Sequence, residues 1–246
     1  MFKLEVCANS VRSALAAQSG GASRIELCSN LTEGGTTPSY AQISLCVKYL
    51  QIPVYVLIRP RGGDFCYSSL ELEEMEMDLE ASANAGCKGV VFGILNKDGT
   101  IDLDRNYKLL SYARKRGITA TFHRAFDVCK DQKQALTEII DLGFDRILSS
   151  GAAPTALVGA SRLRELVELS DNRIVIMPGS GINENNISEL IRITGAQEYH
   201  ASARVLEDRS HFVNPQISST HIFQSELEVT DAAKVRRLIT AGTNAF

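Results

Sequence analysis

Eight short apolar, β-branched runs alternate along this chain with longer stretches of helical period. The runs fall at residues 3–7, 24–28, 53–58, 89–92, 118–122, 146–148, 173–177 and 198–201. Successive runs start about 20 to 35 residues apart, the length a parallel pair needs for its crossover helix. The segments between them carry helix punctuation. Ser10 stands as an N-cap, and Pro38 and Ser39 open a helix reaching about Leu50. Gly86 follows a Glu-, Met- and Leu-rich helix over 70–85 as a C-cap should. Further helices are expected over 103–116 and 131–142, after Pro154, and over 183–193.

Eight such steps favour closure into a barrel over an open doubly wound sheet. The GxGxxG signature of a dinucleotide-binding sheet does not occur. With 246 residues, 44% of them hydrophobic, the chain has the size and the core material of one such barrel. The expectation is an α/β protein, a single (β/α)8 TIM-like barrel as one domain over 1–246. Its barrel strands lie within 3–201, and an irregular tail and closing helix occupy 203–246. Residues 210–230 read as polar and loop-like, and 230–239 as the closing helix.

The formal net charge of −3 offers no basic groove for nucleic acid and no polybasic membrane surface. No apolar run approaches the ~20 residues of a membrane span. The opening MFKLEVCANS goes straight into a strand pattern, without the apolar core of a signal peptide. The six cysteines (Cys7, Cys28, Cys46, Cys66, Cys87 and Cys129) contain no close CxxC pair. They are expected as reduced thiols, which places the chain in the cytosol.

Strand side chains alternate between faces. In the first run Leu4 and Val6 share one face, while Glu5, Cys7 and Asn9 share the other. In the second, Ile25 and Leu27 oppose Glu26 and Cys28. The third sets Tyr55, Leu57 and Arg59 against Val54, Val56 and Ile58, and the fifth sets Thr119, Thr121 and His123 against Ile118, Ala120 and Phe122. Apolar faces of barrel strands meet the helices, so the polar sets should point into the lumen. Barrel interiors are ordinarily filled with branched apolar residues, yet the first two strands each put a carboxylate and a thiol there. Those two units also match each other, LEVCAN against IELCSN, at a constant offset of 21 residues.

Adjacent strands lie ~4.8 Å apart, so Cys7 and Cys28 can approach each other near the barrel mouth. Paired thiolates suit Cu(I) or zinc; the plain alternative is two buried thiols packing as small hydrophobes. Glu5 and Glu26 need partners, because unpaired buried charge is costly. Arg59 is the expected partner, with Arg61 as a second. Such carboxylates, together with His123, can do acid–base chemistry or can form a structural ionic plug. Past the strand ends, RGGDF places Arg61 before a glycine pair, and FHRAFD groups His123 with Arg124 and Asp127. Gly179, Ser180 and Gly181 precede a helix, where barrels often hold phosphate. Ser149, Ser150 and Gly151 can contribute to the same site, although ordinary turns use the same residues. His200 and Ser202 take the inward parity of the eighth strand and complete the ring.

EVCANS, GGASRIELCSNLTEGGTTPS, IRPRGGDFCY, GILNKDGTID, TFHRAFDVC, LSSGA and GSGI follow one another in colinear order. In this series the chain resembles the copper homeostasis protein CutC family, from about Leu4 to Ser202. The resemblance implies a cytoplasmic TIM-like barrel with a role in copper tolerance. It also implies Cu(I) ligation by Cys7 and Cys28, with Cys66 and Cys129 as secondary candidates. Two functional readings, and a structural one beside them, therefore stand. One is a copper-handling protein that binds a copper ion, Cu(I), through Cys7 and Cys28. The other is an enzyme acting on a small anionic or phosphorylated substrate. There Glu5, Glu26 and His123 would do the acid–base work, and Arg59, Arg61, Arg124, Gly179, Ser180 and Gly181 would hold the anion. A third is a structural or interaction barrel, such as a homodimer.

Overall fold

The computed structural model describes residues 2–209 and 226–246. Every apolar run forms a parallel strand, and a helix follows each of the first seven. The first half runs β1 (Lys3–Ala8), α1 (Val11–Ser19), β2 (Arg24–Leu27), α2 (Tyr40–Tyr49), β3 (Val54–Leu57), α3 (Ser69–Ala85), β4 (Gly89–Phe92) and α4 (Leu103–Lys115). The second half runs β5 (Thr119–Phe122), α5 (Gln132–Leu142), β6 (Arg146–Ser149), α6 (Ala160–Ser170), β7 (Val175–Pro178), α7 (Ile187–Thr194) and β8 (Glu198–Ala201). Then come β9 (Arg204–Asp208), β10 (Glu226–Thr230) and α8 (Ala232–Thr243).

The strand order is β7-β6-β5-β4-β3-β2-β1-β8. A parallel bridge from Gly179 to His200 joins the two ends and closes the barrel. That closure needs glycine, since a Cβ at Gly179 would lie 2.5 Å from Leu148 Cδ1 and 3.2 Å from His200 Cβ. The outward faces carry Leu4, Val6, Ile25, Leu27, Val56, Val90, Phe92, Ala120, Phe122 and Ile147, all buried beneath the helices. Each large member of this set stabilises the fold by ~1.5–3 kcal/mol. Ser39, the expected helix opener, forms a capping box with Gln42 for α2, and Ser68 forms one with Glu71 for α3.

Two helices start later than their sequence signals suggest. α7 begins at Ile187 rather than near Asn183, because Asn186 Oδ1 accepts from the Asn183 N–H and holds those residues in a turn. α6 begins at Ala160, after a loop in which Gly151 and Gly159 pack backbone to backbone.

The tail departs from the loop-like reading over residues 226–230. They form β10, paired antiparallel with β9 from Glu226–Asp208 to Thr230–Arg204. The ribbon is anchored on α1: Asn9 Nδ2 donates to the Glu228 carbonyl, and Ser13 Oγ accepts from the Thr230 N–H. Its polar composition reflects side chains that mostly face outward. The rest of that loop-like segment, 210–225, lies outside the described residues. The closing helix, expected over 230–239, is α8; it packs against both α1 and α7 and completes the outer ring. Among the described residues, no helix is long and apolar enough to cross a membrane.

Candidate functional site

The strand register brings residues distant in sequence together inside the barrel. Glu5 on β1 pairs across to Arg24 on β2 and to His200 on β8, and Cys7 pairs across to Glu26. The partner of Glu5 is therefore Arg24, not Arg59. Arg24 Nε donates to Glu5 Oε2 at 2.5 Å, and its Nη2 lies 2.8 Å from Glu198 Oε2. Arg146 Nε meets the same Glu198 oxygen at 2.8 Å, and Lys3 Nζ reaches Oε1 at 3.2 Å. Both guanidinium groups lie over the Tyr55 ring, at 5.2 and 5.5 Å from its centroid. Tyr55 Oη in turn accepts from Thr119 Oγ1 at 2.7 Å. This ionic floor was legible only in part, since Arg24 shares the inward parity of Glu26 but opens its strand.

Above the floor Cys7, Glu26 and His200 form a cluster of three possible metal donors, with Cys28 beside Cys7. Cys7 Sγ and Cys28 Sγ are 3.1 Å apart, both buried. His200 Nδ1 is 2.8 Å from Glu5 Oε1, and its Nε2 is 3.5 Å from Glu26 Oε2. One ligand atom from each of Cys7, Glu26 and His200 lies within 4.8 Å of the others. Burial opposes ionisation of Glu5, but the Arg24 charge and the His200 contact outweigh it and hold its pKa down at about 2. Burial pushes Glu26 the other way, up to about 7, with the Glu5 charge acting in the same sense. Burial also works against a charged His200, yet its contacts with Cys7, Glu5 and Glu26 raise it well above the usual range. The Cys7 thiol is pushed up by its hydrogen bond with Cys28 and by burial. In the absence of metal the Cys7 thiol carries its proton.

The arginines at the rim are mostly committed to the protein. Arg59 is buried and donates to the carbonyls of Glu33, Gly35 and Gly63 at 2.7–2.9 Å, with its plane over Phe65. It braces the loops after β2 and β3 and touches neither glutamate. Arg61 does not line the mouth: it binds Asp64 and Glu71 and lies over Tyr67. Arg124 does line the mouth, bonded to Asp127 and Ser150. Asp127 accepts from Ser149 Oγ and from the N–H groups of Ser150 and Ala152, at 2.6, 3.0 and 3.1 Å. Its carboxylate thus fills the anion-holding position that the loop after β6 offers. Asp127→Ala is expected to cost about 2–3 kcal/mol, because those charge-assisted bonds are lost together. Urea unfolding measures the cost, and faster amide exchange at Ser150 and Ala152 locates it.

His123 is buried beside Phe65, with ring centroids 4.8 Å apart. Its Nδ1 accepts from the Ala125 N–H, which leaves the ring proton on Nε2, an atom with no hydrogen-bond partner. Burial, reinforced by the Arg59 charge, lowers its pKa to about 3, so the ring is neutral at physiological pH. It is set up as a hydrogen-bond donor and not as a base. Unfolded, the same ring takes a proton near pH 6.5. The native state therefore binds fewer protons than the unfolded state below that pH, and stability falls as pH drops from 6.5 toward 3. His123→Asn should flatten that part of the acid profile of the urea midpoint.

These groups surround a cavity of about 540 Å³ at the C-terminal ends of the strands. Cys7, Cys28, Glu26, His123, Arg124, Asp127, Ser180, Gly181, His200 and Ser202 all contribute to its wall. Gly179 serves closure beneath it. Glu5 lies below, in the floor network. Cys66 and Cys129 are outside this wall; the Cys129 thiol points to the Ala125 carbonyl at 3.5 Å. The β1–β8 register delivers His200 to Glu5, Glu26 and Cys7.

The model of the CutC family matches residues 2–205. The family protein CutC of Bacteroides fragilis (strain ATCC 25285) is 44% identical over 250 residues, covering 100% of this chain and 99% of that one. The human copper homeostasis protein cutC homolog is 44% identical over 247 residues, covering 99% of this chain and 90% of its own. The crystal structure of the CutC protein from Streptococcus agalactiae superposes with a TM-score of 0.77 at 37% identity. It covers 81% of this chain and 98% of its own.

Proposed function

The chain belongs to the CutC family, and from that premise we propose that it carries Cu(I), bound as cargo by the thiolates of Cys7 and Cys28. The observation behind this reading is the thiol pair itself, 3.1 Å apart in the wall of an open cavity. Soft sulfur donors are what Cu(I) selects. Cys7 lies on β1 and Cys28 just past the end of β2, where its N–H donates to the Ala8 carbonyl, so the backbone holds both sulfurs in place. A cytosolic location suits six cysteines that are all unpaired.

Acid–base chemistry on a small anionic substrate has narrower support. Glu5 is tied to Arg24, and Arg59 and Arg61 spend their donors on carbonyls and on acidic side chains. Glu26 remains for proton transfer, and neutral His123 and Arg124 remain as hydrogen-bond donors to an anion. Titration against a chromophoric Cu(I) chelator tests the copper reading. One equivalent per chain should be retained by the wild type and lost by the Cys7→Ser/Cys28→Ser double variant. Equal retention by both proteins would overturn it. The affinity should also rise with pH, by up to about tenfold per unit for each thiol proton displaced, since Cys7 holds its proton well above the usual range.

A further inference from the structure

Two thiolates would satisfy Cu(I), and they leave Glu26 and His200 unexplained. Both reach the same point: Glu26 Oε2 and His200 Nε2 are 3.5 Å apart, and each has a ligand atom within 4.8 Å of a ligand atom of Cys7. We infer that the cluster is a three-donor site for a borderline divalent cation of the zinc class, with its fourth position open to the cavity. Its ligands are Cys7 Sγ, a Glu26 carboxylate oxygen and His200 Nε2. Its one sulfur ligand is shared with the copper reading, but the inference does not depend on copper binding.

Three observations carry it. The first is orientation. A metal-ligating histidine characteristically donates its second ring N–H to a carboxylate, which fixes the ring and its tautomer. His200 Nδ1 meets Glu5 Oε1 at 2.8 Å, and Arg24 clamps the other Glu5 oxygen at 2.5 Å. The chain Arg24–Glu5–His200 therefore aims Nε2 at the cluster. The second is spacing. Bonds of ~2.0–2.3 Å put the donors of a tetrahedral site ~3.3–3.8 Å apart, whereas two sulfurs in a linear site stand ~4.6 Å apart. The 3.5 Å between Glu26 Oε2 and His200 Nε2 is a tetrahedral spacing, and Cys7 completes the set within 4.8 Å. The third is donor chemistry. A carboxylate adds nothing for a soft monovalent ion, while the mixed S, N and O set suits zinc. Binding sends the Cys7 thiol proton, the Nε2 proton and any proton on Glu26 to solvent, and the cavity provides the entry path.

Co2+ is the probe, added to reduced, metal-free full-length protein and then displaced with Zn2+. The wild type should bind one Co2+ per chain with the strong visible bands of tetrahedral cobalt and a thiolate charge-transfer band. His200→Gln and Glu26→Gln should each weaken Co2+ at least tenfold while keeping Cu(I) retention. Glu5→Gln should weaken it about 10- to 100-fold, through loss of ring orientation. Cys7→Ser should lose both metals. Weak octahedral bands in the wild type, or unchanged spectra in His200→Gln and Glu26→Gln, would overturn the inference. On the unaltered chain, Zn2+ should shift the ring nitrogen resonances of His200, and unmoved resonances would overturn it equally. Co2+ binding without Cu(I) retention would remove the copper reading and leave this one standing; the reverse result would do the opposite.

Discussion

Cys7→Ser and Cys28→Ser should each weaken Cu(I) binding by about 100-fold or more. Four-ligand structural zinc sites bind with ~10–16 kcal/mol, which is ~2.5–4 kcal/mol per ligand. At 1.4 kcal/mol per tenfold, losing one thiolate costs roughly two to three orders of magnitude. Serine is close to cysteine in size, and neither thiol braces the ionic floor. Thermal unfolding should therefore stay near the wild-type value, so that a drop in affinity reports the ligand and not the fold. Competition titrations of the two single variants measure the effect. Affinities within about threefold of wild type for either variant would show that its sulfur is not a ligand.

Arg24→Met should be the most destabilising single substitution in the lumen, at about 3–5 kcal/mol. It removes the cation shared by Glu5 and Glu198 and leaves Glu5 buried with His200 as its remaining counter-charge. For a chain of this size, about 2–4 °C is lost per kcal/mol, so the thermal midpoint should fall by roughly 6–20 °C. The pH dependence carries a sign check. Glu5 has its folded pKa held at about 2, below the ordinary value of 4.5. The stability it contributes is fully present above pH 4.5 and is lost as pH falls toward 2. In Arg24→Met that acid-dependent loss should shrink, because the charge that lowers the pKa is gone. Adding Glu5→Gln should restore part of the stability, since it removes the carboxylate stranded beside His200, whereas Glu198 keeps Arg146 and Lys3. No recovery would mean that the cost lies in lost packing on Tyr55 and Met177.

Alternation of apolar runs with helical segments was enough to place all eight barrel strands, because each βα step repeats the same physical problem. Strand parity likewise pointed Glu5, Glu26, Cys7 and Cys28 inward, since period two holds wherever a strand is paired on both sides. What parity could not supply was the partner across the barrel. Parity alone pairs Glu5 with Arg59, an inward residue of the third strand unit. The register instead sets Arg24 beside it and leaves Arg59 two strands away, donating to loop carbonyls. The role of His200 was hidden for the same reason: 195 residues separate it from Glu5, and only barrel closure joins their strands. Asp127 shows a different limit. A carboxylate beside an arginine and a serine-rich loop reads as a site residue. Its oxygens are taken up in holding that loop, which no local pattern reveals.

X-ray absorption at the copper edge of the Cu(I)-loaded wild-type protein tests the central claim most directly. Ligation by Cys7 and Cys28 predicts two sulfur scatterers in the first coordination shell of one copper per chain, with one sulfur lost in Cys28→Ser. A shell made only of nitrogen and oxygen, or a sulfur count unchanged in that variant, would contradict it.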